Sequence, residues 1–456
     1  MKLENILKII RSGKNIFITG PAGCGKTFLL KKIYMMLSSE GYKVGLTATT
    51  GVAAVNLSNS STKVYASTFH RWAGIGTGED DCDILIQRIL QYGSTVSRYL
   101  KTHILIIDEI SMFGAKLLGK IDFIMRKMRE KEDVFGGMKI IFSGDFLQLP
   151  PVKDEFVFES PIWKQLDILT IFQDNCKRFD CEDYWNLLKK VRCGLHMQSD
   201  FETLRQRCDA YVSLNKNIEE KEKRGVTLKP SLLFSRKADV AQQNSTELEK
   251  LKTPRFTFEA KDFLVALQNK PLKNKLSYYQ RIVDDSIDQF LTLKVGAQVM
   301  LKLNISVADG LINGSRGVIT DIAKNSAVSD YEITVQFSNG KIQIIKRMVW
   351  TIESKKFKFT RSQYPLMLAW AITIHKIQGC TLDYCVCDLG GAIFCAGQAY
   401  VVLSRVRNIG SLYISNLSEK SFMVDKKALT FLEEERAKSI AQKTAKPEFF
   451  HYQIDT

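Results

Sequence analysis

GPAGCGKT, residues 20–27, stands directly after the apolar run NIFIT (15–19) and directly before FLLKKIYMML (28–37). A short strand, a glycine-rich turn and a helix in that order form a phosphate-binding loop. The glycines let successive backbone N–H groups curl round an anion, and the helix N-terminus favours its charge. Lys26 reaches the terminal phosphates of a nucleotide, and Thr27 presents a hydroxyl to magnesium. Gly20, Pro21, Ala22, Gly23, Cys24, Gly25, Lys26 and Thr27 are the expected nucleotide cradle.

Working outward, KVGLTATT (43–50), HILIIDE (103–109) and KIIFSGD (139–145) are further strands of the kind that is buried on both faces, with helical stretches between several of them. That alternation predicts an α/β fold with a doubly wound, largely parallel sheet and ligands at the carboxyl ends of its strands. The candidate chemistry falls at those ends. Neighbouring side chains on a strand point to opposite sides, so Asp108 and Glu109 can take two roles: Asp108 holds Mg2+, and Glu109 accepts the proton of an attacking water. A kinase would share the loop. SGDFLQLPP (143–151) points elsewhere, because Gln148, on a loop stiffened by Pro150 and Pro151, can sense a phosphate without being a nucleophile.

The 456 residues are enough for two or three domains, and the hydrophobic (45%) and charged (25%) fractions are those of a globular protein. No run reaches the ~18–20 apolar residues of a membrane span. MKLENILKII leaves no room for a removable leader before the loop, so a non-secreted, intracellular protein is expected. Lys and Arg exceed Asp and Glu to give a net charge of +16, which points to nucleic acid as partner. Ten cysteines in a chain this long are expected as reduced thiols. Cys176, Cys181, Cys193 and His196 have a spacing that zinc accepts, but DYWNLLKKVRCG (183–194) patterns as an amphipathic helix, which favours thiols packed beside a core.

Residues 73–101 interrupt the alternation as a small insertion, closing a first unit over 1–213. Residues 214–229, charged and without apolar period, suggest a linker. A second α/β unit over 230–304 and 362–423 takes SLLFSR, LKVGAQVMLKLN, YCVCDLG and SLYISNL as strands, and PLMLAWAITIHKIQG and AGQAYVVLSRV as helical material. Within it, residues 305–361 alternate at period two with turns at Asn313-Gly314 and Asn339-Gly340, an inserted antiparallel barrel. Residues 424–456 supply one more helix and a tail.

GPAGCGKT, TATTGVAA (47–54), STFHRWAGIG (67–76), IIDEISM (106–112), FSGDFLQLPPV (142–152), LKVGAQVMLKLN (293–304), GLINGSRG (310–317), WAITIHKIQGCTLD (370–383) and AYVVLSRVRN (399–408) occur in this order. Together they resemble the PIF/RecD-like DNA helicases of superfamily one, the 5′-to-3′ branch, and most nearly the PIF type, over about residues 13–416. The resemblance implies two RecA-like P-loop domains with ATP between them, a wedge insertion at 73–101 in the first and an SH3-like β-barrel insertion at 305–361 in the second. It makes Gln148 the γ-phosphate sensor, Arg178 and Arg405 the cleft arginines, and Gly379 part of the nucleotide site. It assigns Thr49, Gly51, Phe69, His70, Asn304, His375 and Lys376 to a single-strand groove, with one aromatic for base stacking. ATP and Mg2+ are the implied cofactors. Single-stranded DNA and tailed or forked duplex are the implied partners of a monomer. Two departures stand out: Leu3 falls near the place of the family's adenine-reading glutamine, and Cys-Lys precedes Arg178. A translocase that strips proteins without unwinding shares all these residues. A non-enzymatic binding module would not need Lys26, Thr27, Asp108, Glu109, Gln148 and Arg405 together.

Overall fold

The computed structural model describes residues 3–58, 64–222, 229–266, 276, 280, 287–303, 305–306, 309–311, 313–325, 330–353, 357–382 and 384–445. The chain divides into two units: residues 1–196, 395–404 and 422–456 form one, and residues 197–394 and 405–421 the other.

The first unit is built on six parallel strands, β1 (Asn15–Thr19), β2 (Val44–Ala48), β3 (Ser67–Thr68), β4 (Ile104–Asp108), β5 (Lys139–Gly144) and β6 (Ile168–Phe172), in the order β3-β2-β4-β5-β1-β6. Successive side chains of a strand face opposite sides, and here both sides are covered. Ile16, Ile18, Leu46, Ile104, Ile106 and Ile141 meet the helices Leu3–Arg11, Lys26–Ser39 and Gly51–Leu57. Phe17, Leu105, Ile107, Ile140 and Phe142 meet the helices on the other face, among them Cys82–Leu90, Gly93–Lys101 and Ala115–Arg129. This double burial is why the strands are nearly continuous apolar runs.

The helix expected after residue 424 does more than trail. The helix Lys426–Ala445 places Ala428 and Leu432 in the core of this unit and stacks Phe431 on Phe158, ring centroids 4.2 Å apart. The amphipathic helix expected near residue 185 is present as Glu182–Cys193, with Tyr184, Trp185, Leu187, Leu188 and Val191 buried.

The second unit holds a parallel sheet of β7 (Ser231–Phe234), β18 (Ala371–Thr373), β19 (Cys385–Leu389) and β20 (Leu412–Leu417) in the order β18-β7-β19-β20. The strands between β7 and β18 are antiparallel: β8 (Arg255–Glu259), β9 (Lys261–Ala266), β10 (Phe290–Lys294), β11 (Gln298–Leu301), β12 (Arg316–Asn325), β13 (Asp330–Phe337), β14 (Ile342–Ile345), β15 (Met348–Glu353), β16 (Phe357–Gln363) and β17 (Leu366–Leu368).

Three expectations change here. LKVGAQVMLKLN does not join the parallel sheet; β10 pairs with β8, and β11 with β12 and β17, so the antiparallel region is larger than residues 305–361. PLMLAWAITIHKIQG carries more strand than helix: β17 and β18 lie in its first part, and only Ile374–Ile377 is helical. Short apolar runs fit a buried strand or a buried helix equally, and here the two sheets capture the segment. The stretch taken as a linker begins as helix, because Gln198–Glu222 runs into it.

Candidate active site

The P-loop turns between β1 and the helix Lys26–Ser39, with Gly23 and Gly25 at φ 82° and 86°. A Cβ on Gly23 would sit 2.7 Å from the Phe179 ring and 2.9 Å from Arg178 Cβ, so the turn carrying Arg178 lies directly on the loop. The Lys177 amide donates to the Gly23 carbonyl at 2.9 Å. Lys26 is nearly buried and its ammonium donates to the carbonyls of Gly20 (2.7 Å) and Pro21 (2.9 Å).

The strand ends converge on this loop. At the end of β4, Asp108 is buried and accepts from the hydroxyls of Thr27 (3.0 Å) and Ser143 (2.8 Å) and from the Glu109 amide (2.9 Å). All three donors are neutral. Burial, with the charge of Glu109 beside it, therefore raises this carboxyl to about 6. A hydroxyl and a buried carboxylate at hydrogen-bonding distance are oxygen ligands of the kind a divalent ion takes. Among the described residues no cluster of three or more His, Cys, Asp or Glu is arranged for a metal, the four suggested for zinc included.

Glu109 follows in the left-handed region, φ 56°, ψ 45°, an uncommon backbone for a residue with a side chain. Beyond β5, Gln148 is 4% exposed and its Oε1 has no hydrogen-bond partner among the described residues. A buried acceptor left unmade is costly, which suits a side chain that takes its partner from a ligand. Three residues earlier, Asp145 accepts two bonds from Arg192, 2.9 and 2.7 Å. Burial alone would raise the Asp145 carboxyl, but the Arg192 guanidinium outweighs it and holds the group below its ordinary range.

The helix Gln398–Leu403 is the one expected within AGQAYVVLSRV, but sequence reasoning missed that it packs on these loops. The Ala22 amide, a cradle donor, donates to the Tyr400 hydroxyl at 2.7 Å. A Cβ on Gly397 would lie 2.3 Å from the Gln148 carbonyl oxygen. Arg178 donates to the Ser404 carbonyl at 3.1 Å, and Tyr184 to that of Leu403. The AYVVL pattern contained Tyr400, but an apolar helical run signals core and not a hydroxyl aimed at a phosphate loop.

In the second unit Arg405 is buried and donates to the carbonyls of Ile377 and Cys380, each at 3.3 Å. That brackets Gly379, which turns at φ 83°. His375 is half-buried, with its pKa lowered by burial and by Lys237, and Lys376 is exposed.

The residues expected in a DNA groove fare unevenly. Gly51 is exposed at the start of its helix, capped by the Thr50 hydroxyl. His70 is held low by burial and bonded to the Thr77 backbone. Phe69 cannot stack on a base as expected: it is fully buried, edge-on to Phe113 at 4.9 Å and beside Trp72, in the core of the first unit. Thr49 gives its hydroxyl to the Glu109 carbonyl. Asn304 lies outside the described residues.

With this geometry in place, the comparisons are informative. Residues 3–198 match the model of the PIF1-like helicase family, and residues 285–322 that of the DNA helicase Pif1 2B domain. The chain is 35% identical over 437 residues to the human ATP-dependent DNA helicase PIF1, covering 93% of this chain and 62% of the human one. It therefore spans about three fifths of that relative's length. The Pif1 helicase from Candida albicans superposes with a TM-score of 0.75 at 30% identity, covering 95% of this chain and 98% of that one. The Bacteroides Pif1 helicase in complex with ADP-AlF3 and ssDNA superposes at 0.65 and 27% identity, covering 96% of each. The parallel α/β units are the RecA-like core of those neighbours, with an additional antiparallel region. The chain belongs to the PIF1-like helicase family.

Proposed function

We propose that this chain is the motor of an ATP-dependent DNA helicase that moves 5′ to 3′ on a single strand and opens the duplex ahead. The observation that carries the reading is the convergence of Lys26, Thr27, Asp108, Glu109 and Gln148 at the carboxyl ends of one parallel sheet. The relatives support the substrate: one is an ATP-dependent DNA helicase, and another was solved with a nucleotide analogue and ssDNA. In this reading the cradle amides and Lys26 receive the β- and γ-phosphates, Lys26 exchanging two neutral carbonyls for an anion. Thr27 and Asp108 would hold Mg2+, which would supply positive charge to the phosphate oxygens. Glu109 takes the proton of the attacking water; that water also gives the Gln148 Oε1 a donor, while the γ-phosphate accepts from the Gln148 amide nitrogen. Arg178 and Arg405 supply positive charge as the γ-phosphate leaves. Gly51, His70, His375 and Lys376 grip the strand, and tailed or forked duplex inside the cell is the substrate.

The test compares unwinding of a duplex with a 5′ single-stranded tail and one with a 3′ tail, in ATP and magnesium, with Glu109→Gln as control. The expected result is opening of the 5′-tailed substrate alone, lost in the variant because an amide takes no proton. DNA-stimulated ATP hydrolysis with neither duplex opened would make the chain a translocase. Preference for the 3′ tail would refute the polarity.

A further inference from the structure

Thr49 closes the strand next to the catalytic carboxylates, and the way it spends its hydrogens sets its role. Strands β2 and β4 pair in parallel up to Ala48 opposite Asp108. One residue further, the Thr49 amide donates to the Asp108 carbonyl at 3.1 Å, prolonging the ladder. The Thr49 hydroxyl then donates to the Glu109 carbonyl at 2.8 Å. A threonine has one amide hydrogen and one hydroxyl hydrogen. Both are used here, on the carbonyls of the two residues whose carboxylates do the chemistry. A DNA phosphate oxygen is only an acceptor. To hold it, Thr49 would have to release one of these carbonyls.

The second bond lands where the backbone is least secure. Glu109 sits at φ 56°, ψ 45°, a region that is unfavourable for a side-chain-bearing residue unless its surroundings fix it. The chain then enters the short helix Ile110–Met112, beside Gly144, whose Cβ would lie 2.9 Å from the Ile110 amide nitrogen. The Glu109 peptide is thus pinned by β5 on one side and by the Thr49 hydroxyl on the other. Without the hydroxyl, the peptide can turn toward the more favourable extended region, and the carboxylate turns with it.

We propose that Thr49 is a positioning residue for the general base, holding the Glu109 backbone so that its carboxylate faces the attacking water, and is not a donor to the DNA backbone. The inference rests on Glu109 being that base, so the experiment tests the two separately. Thr49→Val keeps shape and strand preference but removes the hydroxyl; Thr49→Ser keeps the hydroxyl. The readouts are kcat and KM for ATP at saturating oligo-dT, and the Kd of labelled oligo-dT by fluorescence anisotropy without nucleotide. For Thr49→Val kcat falls about tenfold, since a misplaced base loses rate and not affinity, while KM and Kd stay within about twofold. Thr49→Ser restores kcat to within about threefold of the parent, which separates a lost hydroxyl from a disturbed strand end. A Kd weakened about tenfold with kcat at saturation unchanged would make Thr49 a DNA contact and overturn the inference, as would no change in either. If Thr49→Val unfolds, Thr49→Ser against Thr49→Ala gives the same comparison. Glu109→Gln is run alongside. Normal turnover in it removes the reading of Glu109 as base; a dead Glu109→Gln beside an unaffected Thr49→Val removes only the role of Thr49.

Discussion

Asp108 is a group whose usefulness opposes its stability. Burial and the adjacent Glu109 raise its carboxyl to about 6 in the fold from an ordinary 3.8. The folded chain therefore holds the proton more tightly than the unfolded one. Its contribution to stability is complete below pH 3.8 and is lost as pH rises through 6. At pH 7.5, without nucleotide or magnesium, the protein bears a buried anion that the described residues support with two hydroxyls and an amide. Asp108→Asn keeps an acceptor for Thr27 and Ser143 and removes the charge. Its melting temperature at pH 7.5 should exceed that of the parent by about 2–4 °C, the difference fading toward pH 4, while ATP turnover disappears. Equal melting temperatures at both pH values would mean that the charge is relieved by something other than a bound cation. At this scale the local pattern exposed Lys26, Thr27, Asp108, Glu109 and Gln148, because a loop and two strand ends are contiguous in sequence. It named Phe69 and Thr49 but exposed neither the burial of the one nor the bond made by the other. A motif gives residue types at positions, whereas burial of a ring and the destination of one hydroxyl hydrogen depend on partners elsewhere in the chain, here Phe113 and Glu109.

Among the elements, the helix Lys426–Ala445 has most to do with the site for its distance from it in sequence. Phe431 stacks on Phe158 and meets Phe146 edge-on at 5.6 Å and Trp163 at 6.0 Å. Phe146 lies two residues before Gln148, so the helix supports the loop that carries the proposed sensor. Thr170 bonds Glu435, and Arg436 pairs with Asp174 while covering the Phe172 ring at 4.3 Å. Phe431→Ala should cost about 2–3 kcal/mol in urea unfolding of this unit, because the aromatic cluster cannot close over the gap. A loss under about 0.5 kcal/mol would class the helix as an ornament. The sequence showed that a helix was there, since helical propensity is local; it did not show that the helix completes a core whose other members lie more than 250 residues earlier. The same limit explains β17 and β18. Leu366–Leu368 and Ala371–Thr373 are too short to show a period, and their strand character comes from β11 and β7. Longer segments with partners on both faces, β1, β4 and β5, were legible because double burial writes itself as a continuous apolar run.

For the molecule as a whole, the relevant quantity is charge. Sixty-five Lys and Arg against 49 Asp and Glu leave +16. Several of these cations are already paired within the fold, Arg192 with Asp145 and Arg361 with Asp262 among them, and contribute little to binding an outside polyanion. Lys376 is exposed beside half-buried His375, in the segment whose motif implies a DNA contact. If single-stranded DNA is held by its phosphates, each contact releases condensed counterions, and log K falls with log salt at a slope of about −0.7 per phosphate. Three to five such contacts predict that oligo-dT affinity, measured without nucleotide by fluorescence anisotropy, falls about 20- to 130-fold between 50 and 200 mM salt. Lys376→Ala should weaken binding at low salt and flatten that slope by about 0.7, converging with the parent as salt rises. A slope left unchanged with affinity lowered evenly at every salt concentration would assign Lys376 to positioning and not to phosphate neutralisation. A flat response in the parent would mean that the excess positive charge is not what holds the strand, and that stacking or backbone hydrogen bonds hold it instead.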